Sequence, residues 1–66
     1  MQVIINGEVR EVEVGSSLTR LLQSRSLRPQ MVVVERNGEI VARGRYDSTF
    51  IAEGDVLEIV QMMAGG

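Results

Sequence analysis

The sequence predicts an α+β domain in which one short helix packs across a mixed β-sheet. Three observations point to it. Two apolar-alternating runs flank Asn6-Gly7, the strongest short-range signal for a β-hairpin. A single helical pattern follows at Leu18, Leu21 and Leu22. Two further runs rich in β-branched residues, 31–35 and 56–61, supply strands for the same sheet. With hairpins at each end and one helix between them, that helix has one apolar sheet face to cover.

In chain order, the first two strands are expected at about 2–6 and 9–14. Side chains alternate faces along a strand, so Met1, Val3 and Ile5 should face one way and Gln2 and Ile4 the other. In the second strand Val12 and Val14 should point inward while Glu11 and Glu13 meet water. Gly15-Ser16-Ser17 breaks the alternation and offers a serine N-cap, whose hydroxyl can accept from the first helical turn. Leu18, Leu21 and Leu22 stand at i, i+3 and i+4, with Thr19, Arg20 and Gln23 on the other side, giving an amphipathic helix at about 17–25. Its leucine face is read as core. It ends between Ser26 and Pro29, since Pro29 cannot continue a helix and biases Arg28 toward extended geometry.

Residues 31–35 read as a buried strand with Val32 and Val34 inward and Val33 outward, and Asn37-Gly38 turns it into a short strand at 39–42. From 43 to 53 the periodicity dissolves into a loop with room for one helical turn, held by Tyr46, Phe50 and Ile51. Gly54-Asp55 is a turn into the last strand, 56–61, with Leu57 and Ile59 inward and Val56, Glu58 and Val60 outward. The helix joins the second strand to the third, so a crossover carries the chain over the sheet, and the right-handed rule limits the topologies. The β-grasp satisfies these constraints as a single domain over 1–66 with a flexible tail at 62–66.

Composition bounds the function. At 66 residues only about 60% of the unfolded chain's surface is buried on folding, and with no Cys no disulfide can add stability. No Cys, no apolar run near about 18 residues and no basic segment leading into an apolar one make a soluble, cytoplasmic protein with no membrane partner the expectation. Seven cations, all arginine, stand against nine carboxylates, and Tyr46 and Phe50 are the sole aromatics, which argues against nucleic acid as a partner. Without Cys or His the chain lacks the usual zinc ligands and nucleophile–base pairs, and no carboxylates are spaced for acid–base work. Neither a metal site nor catalysis by this chain is expected.

What remains is the ending, Met62-Met63-Ala64-Gly65-Gly66. Two glycines leave the carboxylate without a side chain on either of the last two Cα atoms, so the end is thin enough for a narrow channel. Extended at ~3.3–3.6 Å per residue, five residues reach about 17 Å beyond the last strand. With Gly at roughly 7% of residues, a Gly-Gly ending arises by chance in about one chain in 200. Fraying is the plain alternative, since termini are commonly disordered. Met63, Ala64, Gly65 and Gly66 are the first candidate site, expected to be less ordered than the sheet.

This element order, closed by Gly-Gly, resembles the ubiquitin-like β-grasp carriers, and more closely the sulfur-carrier family of thiamin biosynthesis. Chains of that family carry a pattern near Asn-x-x-Ile/Val-Val-Pro-Arg-x-x-Trp, then Gly-Asp and an apolar strand running into Gly-Gly. Asn37, Ile40, Val41, Arg43, Gly54, Asp55, Ile59, Val60, Gly65 and Gly66 match it, and Asn6 and Leu21-Leu22 also fit. Ala42 stands where proline is usual and Tyr46 where tryptophan is usual, differences that bear on the partner contact of that loop. The resemblance implies that an E1-like adenylating partner uses ATP to convert the Gly66 carboxylate into an acyl-adenylate. Sulfur from a persulfide donor then displaces AMP and leaves a thiocarboxylate, which a thiazole synthase accepts. On this reading Gly66 carries the sulfur, Gly65 clears its path, and the chain itself binds no cofactor.

Three alternatives stay open at this point. A ubiquitin-like modifier would share the adenylate but end in an isopeptide bond; lacking Lys, this chain could not form lysine-linked polymers of itself. A structural β-grasp module would make the glycines incidental. The small subunit of molybdopterin synthase shares fold, tail and activation but is usually longer. Two surface features are candidates to meet partners. Ile4, Val33 and Val60, turned outward by the alternation, should form one apolar patch beside the tail. Arg43 and Arg45, flanking Gly44, are either ordinary solvated charge or candidates to meet acidic surface on the activating enzyme.

Overall fold

The computed structural model describes residues 1–62, so the expected disorder of the terminal glycines lies outside the described residues. Strands β1 (Gln2–Ile5) and β2 (Glu8–Glu11) form the N-terminal hairpin, α1 (Leu18–Ser24) follows, and a 3-10 turn (Pro29–Met31) leads into β3 (Val32–Arg36). A second hairpin joins β3 to the two-residue β4 (Glu39–Ile40), a 3-10 turn covers Arg43–Arg45, and β5 (Val56–Gln61) ends the sheet. The five strands lie in the order β2-β1-β5-β3-β4, with β1 parallel to β5 and the other pairs antiparallel. This is the expected β-grasp, and it makes β5 the central strand.

Local chemistry accounts for the elements. Both hairpin turns hold their residues at positive φ, Asn6 at 51° with Gly7 at 81° and Asn37 at 52° with Gly38 at 86°, as a type I′ turn requires. The Ser17 hydroxyl caps α1 by accepting from the Arg20 N–H at 3.1 Å. The helix stops before Pro29 because Ser26 adopts φ 58°, its N–H donates to the Gln23 carbonyl and the Leu27 N–H donates to that of Leu22. That is a Schellman closure with serine in the place usually held by glycine. Pro29 instead opens the next turn, where its missing N–H costs nothing.

The core lies between α1 and one sheet face. Val3, Ile5, Val32, Val34, Leu57 and Ile59 from the sheet meet Leu18, Leu21 and Leu22 from the helix, with Val12, Tyr46 and Ile51 closing the sides. Tyr46, where tryptophan was noted as usual, is buried and donates its hydroxyl to the Val32 carbonyl at 3.3 Å, so that difference concerns packing rather than a partner.

Two inward expectations fail. Val14 is 77% exposed, because the β2 ladder ends at Glu11 and residues 13–16 form a tight turn with Gly15 at φ 86°, which throws Val14 into solvent. Phe50 is 59% exposed: it bridges Ser17 while its neighbour Ile51 is buried, and adjacent extended residues face opposite ways.

Candidate functional site

The candidate site is the root of the tail, at the end of β5, and side chains from both hairpin turns hold that strand. Ile4 and Asn6 donate their N–H groups to the Asp55 and Leu57 carbonyls at 2.9 Å, after which β1 has turned away. The Asn6 side chain continues the ladder in place of a strand: its Oδ1 accepts from the Ile59 N–H at 2.8 Å and its Nδ2 donates to the Ile59 carbonyl at 3.1 Å. Asn37 does the corresponding work at the start of β5, its Oδ1 accepting from the Val56 N–H at 2.9 Å and its Nδ2 donating to Asp55 at 3.0 Å. The Asp55 carboxylate also accepts from Arg36 Nε at 2.9 Å and from the Ala52 N–H at 2.8 Å. Burial pushes this carboxyl up, but the bonds from Ala52, Asn37 and Arg36, with the Arg36 charge, outweigh it and hold it below its ordinary value.

At the other end, the Met62 N–H donates to the Met31 carbonyl at 2.7 Å, so the β3–β5 pairing runs one residue past Gln61. Met62, expected as the first residue of a flexible tail, is tied to the sheet. Met63, Ala64, Gly65 and Gly66 lie outside the described residues.

The outer sheet face differs from expectation in one respect. Val33 and Val60 are exposed and directly opposite each other, as expected. Ile4 does not join them. It pairs with Val56 of β5 and Val9 of β2, and Val56 lies about 13 Å from Val60 at ~3.3 Å per residue. β1 does lie beside β5, but a parallel pair has no hairpin loop to set its register. In place of Ile4 the structure puts Met31 and Met62, which extend the register beyond Val33 and Val60 on the same face. Met31 was missed as a site residue; counting back from a Val33–Val60 pair would have found it. Between the two apolar areas Glu35 and Glu58 stand directly opposite each other, and neither is in an ion pair among the described residues.

Arg43 and Arg45 are both exposed on the 3-10 turn. Arg43 donates from Nε to the Pro29 carbonyl at 3.0 Å, which brings it beside the Pro29–Met31 turn and hence toward the tail root, whereas no side-chain bond from Arg45 is present among the described residues. The described residues hold no group of three or more candidate metal ligands and no helix long and apolar enough to cross a membrane.

Comparison with known proteins bears on this geometry. The model of the ThiS family matches residues 3–66, which includes the hairpin asparagines, the Gly54-Asp55 turn and the terminal glycines. The sulfur carrier protein ThiS of Bacillus subtilis is 36% identical over 63 residues, covering 94% of this chain and 96% of that one. The crystal structure of the thiamine biosynthesis protein ThiS from Geobacter metallireducens superimposes with a TM-score of 0.85 at 32% identity, over 100% of both chains. A thiazole synthase of Magnetococcus marinus is 38% identical over all 66 residues, and the chain spans 20% of that protein's length. The family match, the full-length relative and the shared ubiquitin-like β-grasp agree, and the chain belongs to the ThiS family.

Proposed function

We propose that this ThiS-family chain is a sulfur carrier for thiamine biosynthesis, loaded on the carboxylate of Gly66. The observation that supports this most directly is that the family match runs through Gly65-Gly66. A carboxylate is a poor electrophile. An E1-like adenylating partner joins it to AMP from ATP, releasing pyrophosphate, and the mixed anhydride gives the acyl carbon a good leaving group. The terminal sulfur of a persulfide donor attacks that carbon and expels AMP, and a reducing thiol cleaves the new S–S bond to leave the thiocarboxylate. The chain acts as a co-substrate and the partners supply the catalytic groups and the ATP site.

The acceptor on this reading is a thiazole synthase. Two proteins of that name, from Magnetococcus marinus and Paramagnetospirillum magneticum, each contain a stretch 38% identical to the whole of this chain. A stretch like this chain and a thiazole synthase within one polypeptide fit the two working in the same chemistry. Docking is assigned to Val33 and Val60 with Met31 and Met62, the apolar area beside the tail root, with Ile4 contributing from the separate Val9–Val56 area. Glu35 and Glu58 border both areas, so the docking partner should present cations between its apolar contacts. Arg43 and Arg45 lie on the 3-10 turn and should meet carboxylates there, an attraction that weakens with salt.

The deciding experiment is intact-mass analysis of the chain after incubation with an activating enzyme, ATP and a persulfide donor. A gain equal to exchanging one oxygen for sulfur, lost when Gly65-Gly66 is removed, is expected. Conjugates of the chain with other proteins and no such gain would overturn the carrier reading in favour of a modifier.

A further inference from the structure

Away from the tail root, β2 is an edge strand, and its free side opens onto a cleft against α1. In β1, Ile4 and Asn6 turn their N–H groups to β5, so Val3 and Ile5 bond to β2 through Arg10 and Glu8. The backbone N–H and C=O groups of Val9 and Glu11 therefore point outward with no strand beyond them. One of the four is covered, since Arg10 Nη1 donates to the Val9 carbonyl at 3.3 Å.

The adjoining cleft has a volume of about 330 Å³ and is floored by Val12 and Leu21. Arg10 reaches it from β2, Arg20 from α1 and Arg25 from the helix C-cap, and of these Arg10 is paired with Glu8. The carboxylates in its wall are partly spent: Glu11 accepts from the N-terminal amine at 2.8 Å, and Glu13 stands 3.7 Å from Arg20. Arg25 is in no ion pair among the described residues. Ser16 also lines the cleft, with a hydroxyl that makes no hydrogen bond among the described residues and is not sealed from solvent.

We infer that this edge binds an extended acidic segment of a partner protein by strand addition. The segment pairs with the outward groups of Val9 and Glu11. Its alternate side chains then fall on the helix side, where glutamates or aspartates meet Arg20, Arg25 and the Ser16 hydroxyl, while the others lie beside exposed Val9. β1 separates this edge from β5, so a bound segment leaves the tail root open. The inference holds whichever sulfur pathway the tail serves.

The test is a heteronuclear NMR titration of the full chain with a capped six-residue peptide of alternating valine and glutamate. Amide shifts at Val9, Glu11, Ser16 and along 20–25 are expected, with slowed exchange of the Val9 and Glu11 amides. Arg20→Glu with Arg25→Glu should weaken binding at least about tenfold, roughly 1.4 kcal/mol. Ser16→Ala should weaken it while leaving thermal stability unchanged or raised, which a purely structural serine would not do. Val9→Pro, which removes an outward N–H and no ladder bond, should abolish it. No shift at millimolar peptide, shifts confined to the Val33–Val60 face, equal binding of a lysine-for-glutamate peptide, or pairing of two copies along β2 in place of peptide binding would each overturn the inference.

Discussion

Replacing Asn6 by Gly isolates the side chain that stands in for a missing strand. Glycine keeps the turn, because φ 51° suits it at least as well as asparagine, so the backbone of the hairpin is preserved. What disappears is the pair of bonds to Ile59, at 2.8 and 3.1 Å. At about 1 kcal/mol net for each bond, Asn6→Gly should destabilise the domain by about 2 kcal/mol. The added flexibility of glycine in the unfolded chain and the relief of asparagine's positive φ oppose each other and are each smaller than this. For a domain of this size that is a fall in Tm of about 8–16 °C. Urea denaturation gives the stability directly, and hydrogen exchange localises it. The Ile59 N–H bonds to Asn6 and should lose protection, whereas Val60, whose backbone faces β3, should keep its protection up to the new global limit. A loss below about 0.5 kcal/mol, smaller than a single ordinary hydrogen bond, would refute the claim that Asn6 holds the tail-bearing strand.

Three further perturbations follow from the same geometry. Ser26→Gly should stabilise the domain by about 1 kcal/mol, since φ 58° costs a residue with a Cβ and the Schellman bonds need only the backbone; unchanged stability in thermal melts would show the turn to be unstrained. Asp55 has a carboxyl held below its ordinary value, so its contribution is fully present above the unfolded-state value near about 3.9 and is lost as pH falls through the lower folded-state value. Asp55→Asn should therefore flatten the acid limb of the stability–pH curve, and an unaltered slope would count against the Arg36–Asn37–Ala52 arrangement. Val60→Asp, at a position 60% exposed, should leave the fold intact and weaken binding to the activating enzyme, whereas Ile4→Asp, at a half-buried position, should cost stability first. Calorimetry and binding measured on the same two proteins separate these outcomes, and equal binding losses without unfolding would restore a single patch.

The parts legible in the sequence are those where one periodicity acts alone. Val32 and Val34, and Leu57 and Ile59, alternate with exposed or partly exposed neighbours, and Val3 and Ile5 with exposed Gln2 and half-buried Ile4, so slipping any of these strands by one residue would turn buried apolar side chains toward water. The leucines of α1 are equally unambiguous. Val14 departs from the alternation because the β2 ladder ends at Glu11 and Gly15 at φ 86° turns the chain, and Phe50 faces away from the core because its extended neighbour Ile51 faces into it. The Ile4–Val60 patch failed for a different reason. Faces follow from alternation within a strand, but proximity across strands follows from register. Along β1 and β5 that register is set by long-range bonds such as Ile4 to Asp55 and Asn6 to Ile59, which carry no local signal.

Those bonds also change how the motif residues should be understood. Asn37 and Gly54-Asp55 carry the resemblance to the family, and Asn6 fits it. In the structure Asn6, Asn37 and Asp55 spend their polar side-chain atoms on the backbone and on one another, all around β5. Gly54 at φ 82° serves the turn that starts the strand. The strand so held is flanked on both sides, by β1 and β3, and at its far end the Met62 N–H is still bonded to Met31. A tail that must enter another protein's active site benefits from a fixed origin, because ordering the origin during binding would cost about 1–2 kcal/mol per residue. The motif thus specifies how the tail is mounted. Partner choice must then be written in side chains that are not spent on the fold, and beside the tail root these are Met31, Val33, Glu35, Glu58 and Val60. Exchanging those five with the matching positions of another family member, with Asn6, Asn37 and Asp55 retained, should move partner preference at unchanged stability. Transfer of preference by the three polar residues instead would show that the motif contacts the partner after all.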